Sequence, residues 1–105
     1  MSSDLEKIRN ALREFAAERD WNKFHTPKNL AMALSGEAGE LVSEFQWLTP
    51  EESQKLTKDQ FAAVEMEIAD VAIYLIRLAD MLNIDIFEAA MTKIHMNKSR
   101  FPSQQ

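Results

Sequence analysis

TKDQFAAVEMEIADVAIYLIRLADML, residues 57 to 82, is the stretch whose reading decides the fold. Thr57 is a helix start, with a hydroxyl able to accept from the first free N–H groups. From there Phe61, Val64, Ile68, Val71, Leu75, Leu78 and Leu82 recur every three or four residues, the period of one helix face. Ala62, Met66, Ala69, Ile73 and Ile76 repeat that spacing on nearly the opposite side. A chain of 105 residues can scarcely cover both stripes by itself. The first is therefore expected in the core, and the second at a subunit interface. A third sector lies between them: at about 100° per residue, Glu67, Asp70 and Tyr74 fall into it at i, i+3 and i+7.

Working outward, Thr26 followed by Pro27 opens a helix from about 27 to 47, because proline at the first helical position loses no needed N–H. Its expected buried face is Leu30, Leu34, Ala38, Leu41, Phe45 and Leu48. Ser3 caps a first helix with an apolar stripe of Leu5, Ile8, Leu12 and Phe15. "TPEE" gives a short helical turn after Thr49. "NID" turns the chain into a last helix from about Ile86 to Arg100, with Phe87, Ala90, Met91 and Ile94 facing inward and "FPSQQ" as a frayed tail. With two glycines, three prolines and no alternating strand pattern, the chain reads as all-α and as one domain over 1–105.

Composition narrows the chemistry. There is no cysteine, which excludes disulfides, thiolate metal ligands and a thiol nucleophile. A net charge of −5 without a basic stripe argues against nucleic-acid binding. No apolar run reaches the length of a membrane span, and "MSSDLEKIRN" lacks a secretory pattern, so a cytoplasmic location is expected. An anionic small molecule would need a metal bridge or a local basic pocket.

The carboxylates offer that bridge. In LSGEAGELVSEFQW (34–47), Glu37, Glu40 and Glu44 stand at i, i+3 and i+7. Stacked like charges repel by about a few tenths of a kcal/mol per pair without a cation. Glu37-x-x-Glu40 and Glu67-x-x-Asp70 sit on two helices joined by a loop long enough to set them face to face. Four carboxylates beside apolar surface must either take up protons or bind hard cations. Oxygen-only ligands favour magnesium or manganese over zinc or copper. A single Glu-x-x-Glu is commonplace on solvated helices; two such pairs, each beside an apolar stripe, are not. A di-iron bundle would need Glu-x-x-His pairs, and neither His25 nor His95 follows a glutamate by three.

Other groups suit a planar, phosphorylated ligand. Trp47 is seven residues after Glu40, and Trp21 and His25 lie in the loop opening the same helix. Aromatic faces stack on bases, each worth about 1–3 kcal/mol; the alternative is that both tryptophans plug core or interface gaps. Lys93, Asn97 and Arg100, at i, i+4 and i+7, either contact phosphate or complement the dipole of the last helix. Met32, Met66, Met81, Met91 and Met96 read as packing residues.

"GEAGELVSEFQW", "EIADVAIYLIRLAD" and "KIHMNKSRFP" resemble, in that order, segments of the MazG-type nucleotide pyrophosphohydrolases of the all-α NTP pyrophosphatase superfamily. The family hallmark, Glu-x-x-Glu then Glu-x-x-Asp, matches Glu37, Glu40, Glu67 and Asp70. "FAAERDWNKFHTPKNLAMALSGEAGEL" is similar to the dCTP pyrophosphatase branch, and the resemblance runs from about Leu5 to Pro102. It implies a four-helix-bundle-type protomer, assembled as a dimer of dimers. It further implies magnesium, or manganese, on those four catalytic carboxylates. The implied reaction is hydrolysis of a (deoxy)nucleoside triphosphate, preferably dCTP or a modified dCTP, to monophosphate and pyrophosphate as nucleotide-pool housecleaning. By the same resemblance Trp21, His25, Trp47 and Tyr74 shape the base and sugar pocket. Lys93 and Asn97 meet phosphate or base from a neighbouring subunit, and Arg100 and Pro102 fix the closing segment. Leu12 departs from relatives that carry a pocket histidine there, which loosens the expected base selectivity. The competing classes are a non-catalytic helical oligomer serving as a scaffold, and a related bundle acting on another phosphorylated nucleotide intermediate.

Overall fold

The computed structural model describes residues 3–103, and every regular element among them is a helix: α1 (Asp4–Glu18), α2 (Pro27–Phe45), α3 (Pro50–Ser53), α4 (Lys58–Met81) and α5 (Ile86–Arg100). The last two residues of the tail, Gln104 and Gln105, lie outside the described residues. Each helix begins on a side chain that accepts from its first turn. Ser3, Thr49 and Thr57 form reciprocal capping boxes with Glu6, Glu52 and Gln60. Thr26 accepts from the N–H of Asn29, and Asp85 from that of Glu88. Caps of this kind contribute about 1 kcal/mol each.

The ends of α1 and α4 share one device. Asp20 and Asn83 take the left-handed conformation, φ 54° and 56°. After α1 the N–H of Trp21 donates to the carbonyl of Ala16 at 2.9 Å; after α4 that of Ile84 donates to Ala79 at 2.8 Å. These are Schellman closures with Asp or Asn in the usual glycine position. One ends α1 just before Trp21; the other turns the chain from α4 into α5.

α2 and α1 both pack on α4, and a small core forms from Ala16, Leu30, Val64, Ile76 and Ala79. Several expectations are corrected here. Phe61 and Ile68 of the supposed core stripe are 59% and 53% exposed, Leu75 and Leu82 are exposed too, and Ile76 of the supposed interface stripe is buried. The reason is the sector that α2 covers. Ala63, Val64, Glu67, Asp70, Val71 and Tyr74 are buried or half-buried, so α2 lies over the side centred between Val64 and the carboxylates. On α1, Ala16 is buried where Ile8 and Phe15 are exposed, and on α2 Ala38 is exposed. Phe87, Ala90, Met91 and Ile94 do not face inward: α5 takes no part in the two main packings and contains no buried residue. The five methionines assigned to packing are all exposed, because among the described residues no element covers the faces on which they lie. Among the described residues no helix is long and apolar enough to cross a membrane.

Candidate functional site

The i, i+3 spacing sets Glu37 and Glu40 on one side of α2, and Glu67 and Asp70 on the side of α4 that α2 covers. The packing brings carboxylate oxygens of Glu37, Glu67 and Asp70 within 4.8 Å of one another. Oε2 of Glu37 and Oε2 of Glu67 are both buried without a hydrogen-bond partner. A buried, unpartnered carboxylate oxygen is costly, and two in one cluster mark where a cation fits. The pKa directions agree. Glu37 is raised first by hydrogen bonding with the Glu40 side chain, then by burial, then by the charges of Glu40, Asp70 and Glu67. Glu67 is raised first by burial, then by the charges of Glu40, Asp70 and Glu44, and last by hydrogen bonding with Glu40. Glu40 thus stands beside both, although its oxygens lie outside the tight triad. Glu44, noticed in the sequence as part of the ridge but left out of the ligand set, also directs its charge at Glu67. The donor set is oxygen only, which suits magnesium or manganese.

The same face of α4 continues through Tyr74, half-buried, to Arg77, buried. Arg77 donates to His25 Nδ1 at 3.1 Å and to Asn22 Oδ1 at 2.6 Å, tying loop 19–26 to α4. In that loop the Trp21 ring lies 6.0 Å from the His25 ring and edge-on to Phe15 at 5.4 Å. Asp80 accepts both donors of Arg13, at 2.8 and 2.6 Å, and the Arg13 hydrogen bond holds its carboxyl below the usual range. Sequence reading missed Arg13, Asn22, Arg77 and Asp80. The available signal was a charged pair three residues apart inside the apolar run YLIRLAD.

The remaining candidates stand apart. Trp47 lies two residues beyond α2, not within it, and is 87% exposed, which rules out plugging the core of its own chain. Lys93 and Arg100 are exposed and Asn97 is half-buried on α5; the Arg100 guanidinium lies 5.0 Å over the Phe101 ring. Among the described residues no side-chain hydrogen bond or ion pair joins these three to α2 or α4. Within one chain, then, the fold unites the carboxylates and separately the Trp21–His25 pair, but not the cations of α5.

Facing helices that carry two carboxylate pairs, with unpartnered oxygens between them, define an all-helical protein whose acidic cluster is able to hold a cation. The MazG-like family model matches residues 32–105, and the chain belongs to that family. It is 46% identical over 101 residues to human dCTP pyrophosphatase 1, covering 94% of this chain and 59% of that protein. The Bos taurus dCTP pyrophosphatase 1 is 45% identical over 100 residues, with 93% and 59% covered. The chain therefore spans about three-fifths of the length of these curated relatives. The fold is similar to a crystal structure of a pyrophosphatase from Archaeoglobus fulgidus, with a TM-score of 0.91, 39% identity, and 98% and 96% of the two chains covered.

Proposed function

We propose that this chain, acting as a single domain, hydrolyses deoxynucleoside triphosphates, preferably dCTP or a modified dCTP, to the monophosphate and pyrophosphate. Its role would be to clear such nucleotides from the cytoplasmic pool. The observation that carries the reading is the pair of unpartnered buried oxygens on Glu37 and Glu67, which cluster with Asp70 and have Glu40 beside them. Likeness to proteins named dCTP pyrophosphatase supplies the substrate class.

Glu37, Glu40, Glu67 and Asp70 hold magnesium in this reading, or manganese. Bound there, the cation would neutralise triphosphate charge and acidify the water it binds. The residues do the rest. One carboxylate takes the proton from the attacking water. Trp21 and Tyr74 flank the base and sugar, with His25 beside Trp21. Trp47, Lys93, Asn97 and Arg100 complete the pocket across subunit boundaries of a homotetramer. An aromatic wall leaves a ribose 2′-hydroxyl without a partner, and an unpaired buried polar group costs about 1–3 kcal/mol. That corresponds to a preference for dCTP over CTP of roughly ten- to a hundredfold. Leu12, apolar where some relatives carry a pocket histidine, admits other deoxynucleotides as secondary substrates.

The test is a panel of dCTP, CTP, dATP, dTTP and dUTP at one magnesium concentration, with products separated by chromatography. Monophosphate and pyrophosphate, with kcat/KM highest for dCTP, are expected. Equal use of CTP would remove the sugar argument. Release of single phosphate, or full activity in chelator, would overturn the reaction.

A further inference from the structure

Arg77 is 5% exposed, a guanidinium enclosed on a largely apolar stretch of helix. Burying one is costly unless its donors are matched. Here Nη2 donates to Asn22 Oδ1 at 2.6 Å, Nη1 to Asp80 Oδ2 at 3.4 Å and Nε to His25 Nδ1 at 3.1 Å. Asp80 also takes both donors of Arg13. Two guanidiniums thus share one carboxylate, and the cluster keeps a positive charge facing the His25 ring.

That contact fixes where the proton of His25 sits. Arginine has no acceptor and stays protonated, so Nδ1 must offer its lone pair and the ring proton belongs on Nε2. A doubly protonated ring would turn an N–H toward the guanidinium. Burial, and then the charge of Arg77, hold the His25 pKa below the ordinary histidine value. Nε2 makes no side-chain hydrogen bond among the described residues, so this N–H is available to a ligand. Beside it stands Trp21, 41% exposed.

Placement ties this group to the carboxylates. Asp70, Tyr74 and Arg77 stand at i, i+4 and i+7 on α4, which puts Arg77 about 10 Å along the axis from Asp70. A triphosphate held at the carboxylates, with its nucleoside directed toward the end of α4, passes Tyr74 and meets Trp21 and His25.

We propose that Arg77 is a positioning residue for nucleoside recognition. By occupying Nδ1 it locks His25 as an Nε2–H donor for an acceptor atom of the bound nucleoside, and through Asn22 it holds the Trp21 loop in register. The ligand in this statement rests on the proposed activity; the tautomer does not.

The experiment reads the two separately. Long-range proton–nitrogen NMR on the full chain, labelled at histidine and without nucleotide, should show His25 wholly as the Nε2–H form at neutral pH. Arg77→Leu should give mixed tautomers. For dCTP it should raise KM about tenfold, leave kcat within about twofold and leave the magnesium dependence unchanged. Arg77→Gln, whose amide can still donate to Nδ1, should recover the single tautomer and most of the KM. If Arg77→Leu does not fold, the wild-type spectrum and Arg77→Gln still decide. An Nδ1–H or mixed His25 in active wild-type protein overturns the positioning role alone. So does an Arg77→Leu variant whose tautomer and KM are those of wild type. A wild-type chain inactive on every triphosphate overturns the proposed activity and with it the ligand named here.

Discussion

Glu67 illustrates what one residue can reveal about a site. Its side chain has a buried oxygen without a partner and sits among the charges of Glu40, Asp70 and Glu44. Ionised and without a cation, it works against the fold. Its folded pKa lies above the ordinary 4.5, so between those two values the native state binds a proton that the unfolded chain does not. Stability of the metal-free protein therefore falls as pH rises through that window, and the penalty is complete above it. Glu67→Gln removes the charge. In chelator at pH near 7.5 the variant should melt above wild type, and the gap should close as pH falls toward 4.5. Taking the difference between the two proteins cancels the opposite trend of His25, which is common to both. Magnesium should raise the melting temperature of wild type and barely move the variant; a Gln variant less stable than wild type in chelator would show that the orphan oxygen is not strained. Activity provides the companion test. Glu40→Gln or Asp70→Asn should lower kcat by roughly a thousandfold, the rate equivalent of about 4 kcal/mol, with helicity unchanged. Near-normal turnover in both would remove the catalytic-metal assignment.

At the scale of elements, helix starts were legible and burial only in part: Leu30 and Val64 are enclosed as expected, while Phe61, Ile68 and Leu75 are not. Thr57 with Gln60, Thr49 with Glu52 and Thr26 with Pro27 are local chemistry, and each cap forms where the residues indicate. "NID" reads as a turn for the same reason: Asn83 accepts the left-handed conformation and Asp85 caps α5. Because Asn83 at φ 56° substitutes for glycine, Asn83→Gly should leave stability unchanged or raise it by up to about 1 kcal/mol. Asn83→Val should lower it by roughly 1–2 kcal/mol. Urea denaturation would distinguish these outcomes, and equal stability of the two variants would mean that the turn tolerates any residue. The period of three to four marks an apolar face but not its occupant. That is why Phe61 and Ile68 read as core beside Val64, although of these three only Val64 is enclosed, and why Ile76 read as interface although it is buried. The Arg77–Asp80 pair was hidden for a related reason. A charged i, i+3 pair on a helix ordinarily reads as solvated, and only the arrival of loop 19–26 and of Arg13 makes it interior.

The whole molecule is more open than its length requires. Its radius of gyration is 16.7 Å, against about 13 Å for a compact domain of this size. The excess accompanies exposed apolar surface: Phe61, Ile68 and Leu75 on α4, Leu82 at its C-cap, and Phe87, Met91 and Ile94 on α5. Leu78, Ala79, Ile84 and Ala90 help to line an apolar groove where α4 gives way to α5. Apolar surface on this scale, beside a helix outside the main packings, is what an interface between copies supplies. Sedimentation velocity should therefore find an oligomer, expected to be a tetramer, and Leu75→Glu or Phe87→Glu should shift it to smaller species. A monomeric wild type that retains full activity would contradict this. Such an assembly would account for Lys93 and Asn97, which among the described residues reach no carboxylate by a side-chain bond within their own chain. If a neighbour's α5 brings them to the triphosphate, one site is built from two chains, and two different inactive chains can repair each other. Glu40→Gln protomers lack a carboxylate but keep Lys93; Lys93→Ala protomers have the reverse. Unfolded together and refolded as mixed oligomers, they should recover a measurable fraction of wild-type kcat, since some sites pair intact carboxylates with an intact Lys93. Each variant refolded alone should remain at its own low rate. Mixed oligomers verified by mass spectrometry but no more active than the average of the two parents would confine the site to a single chain and remove Lys93 from it.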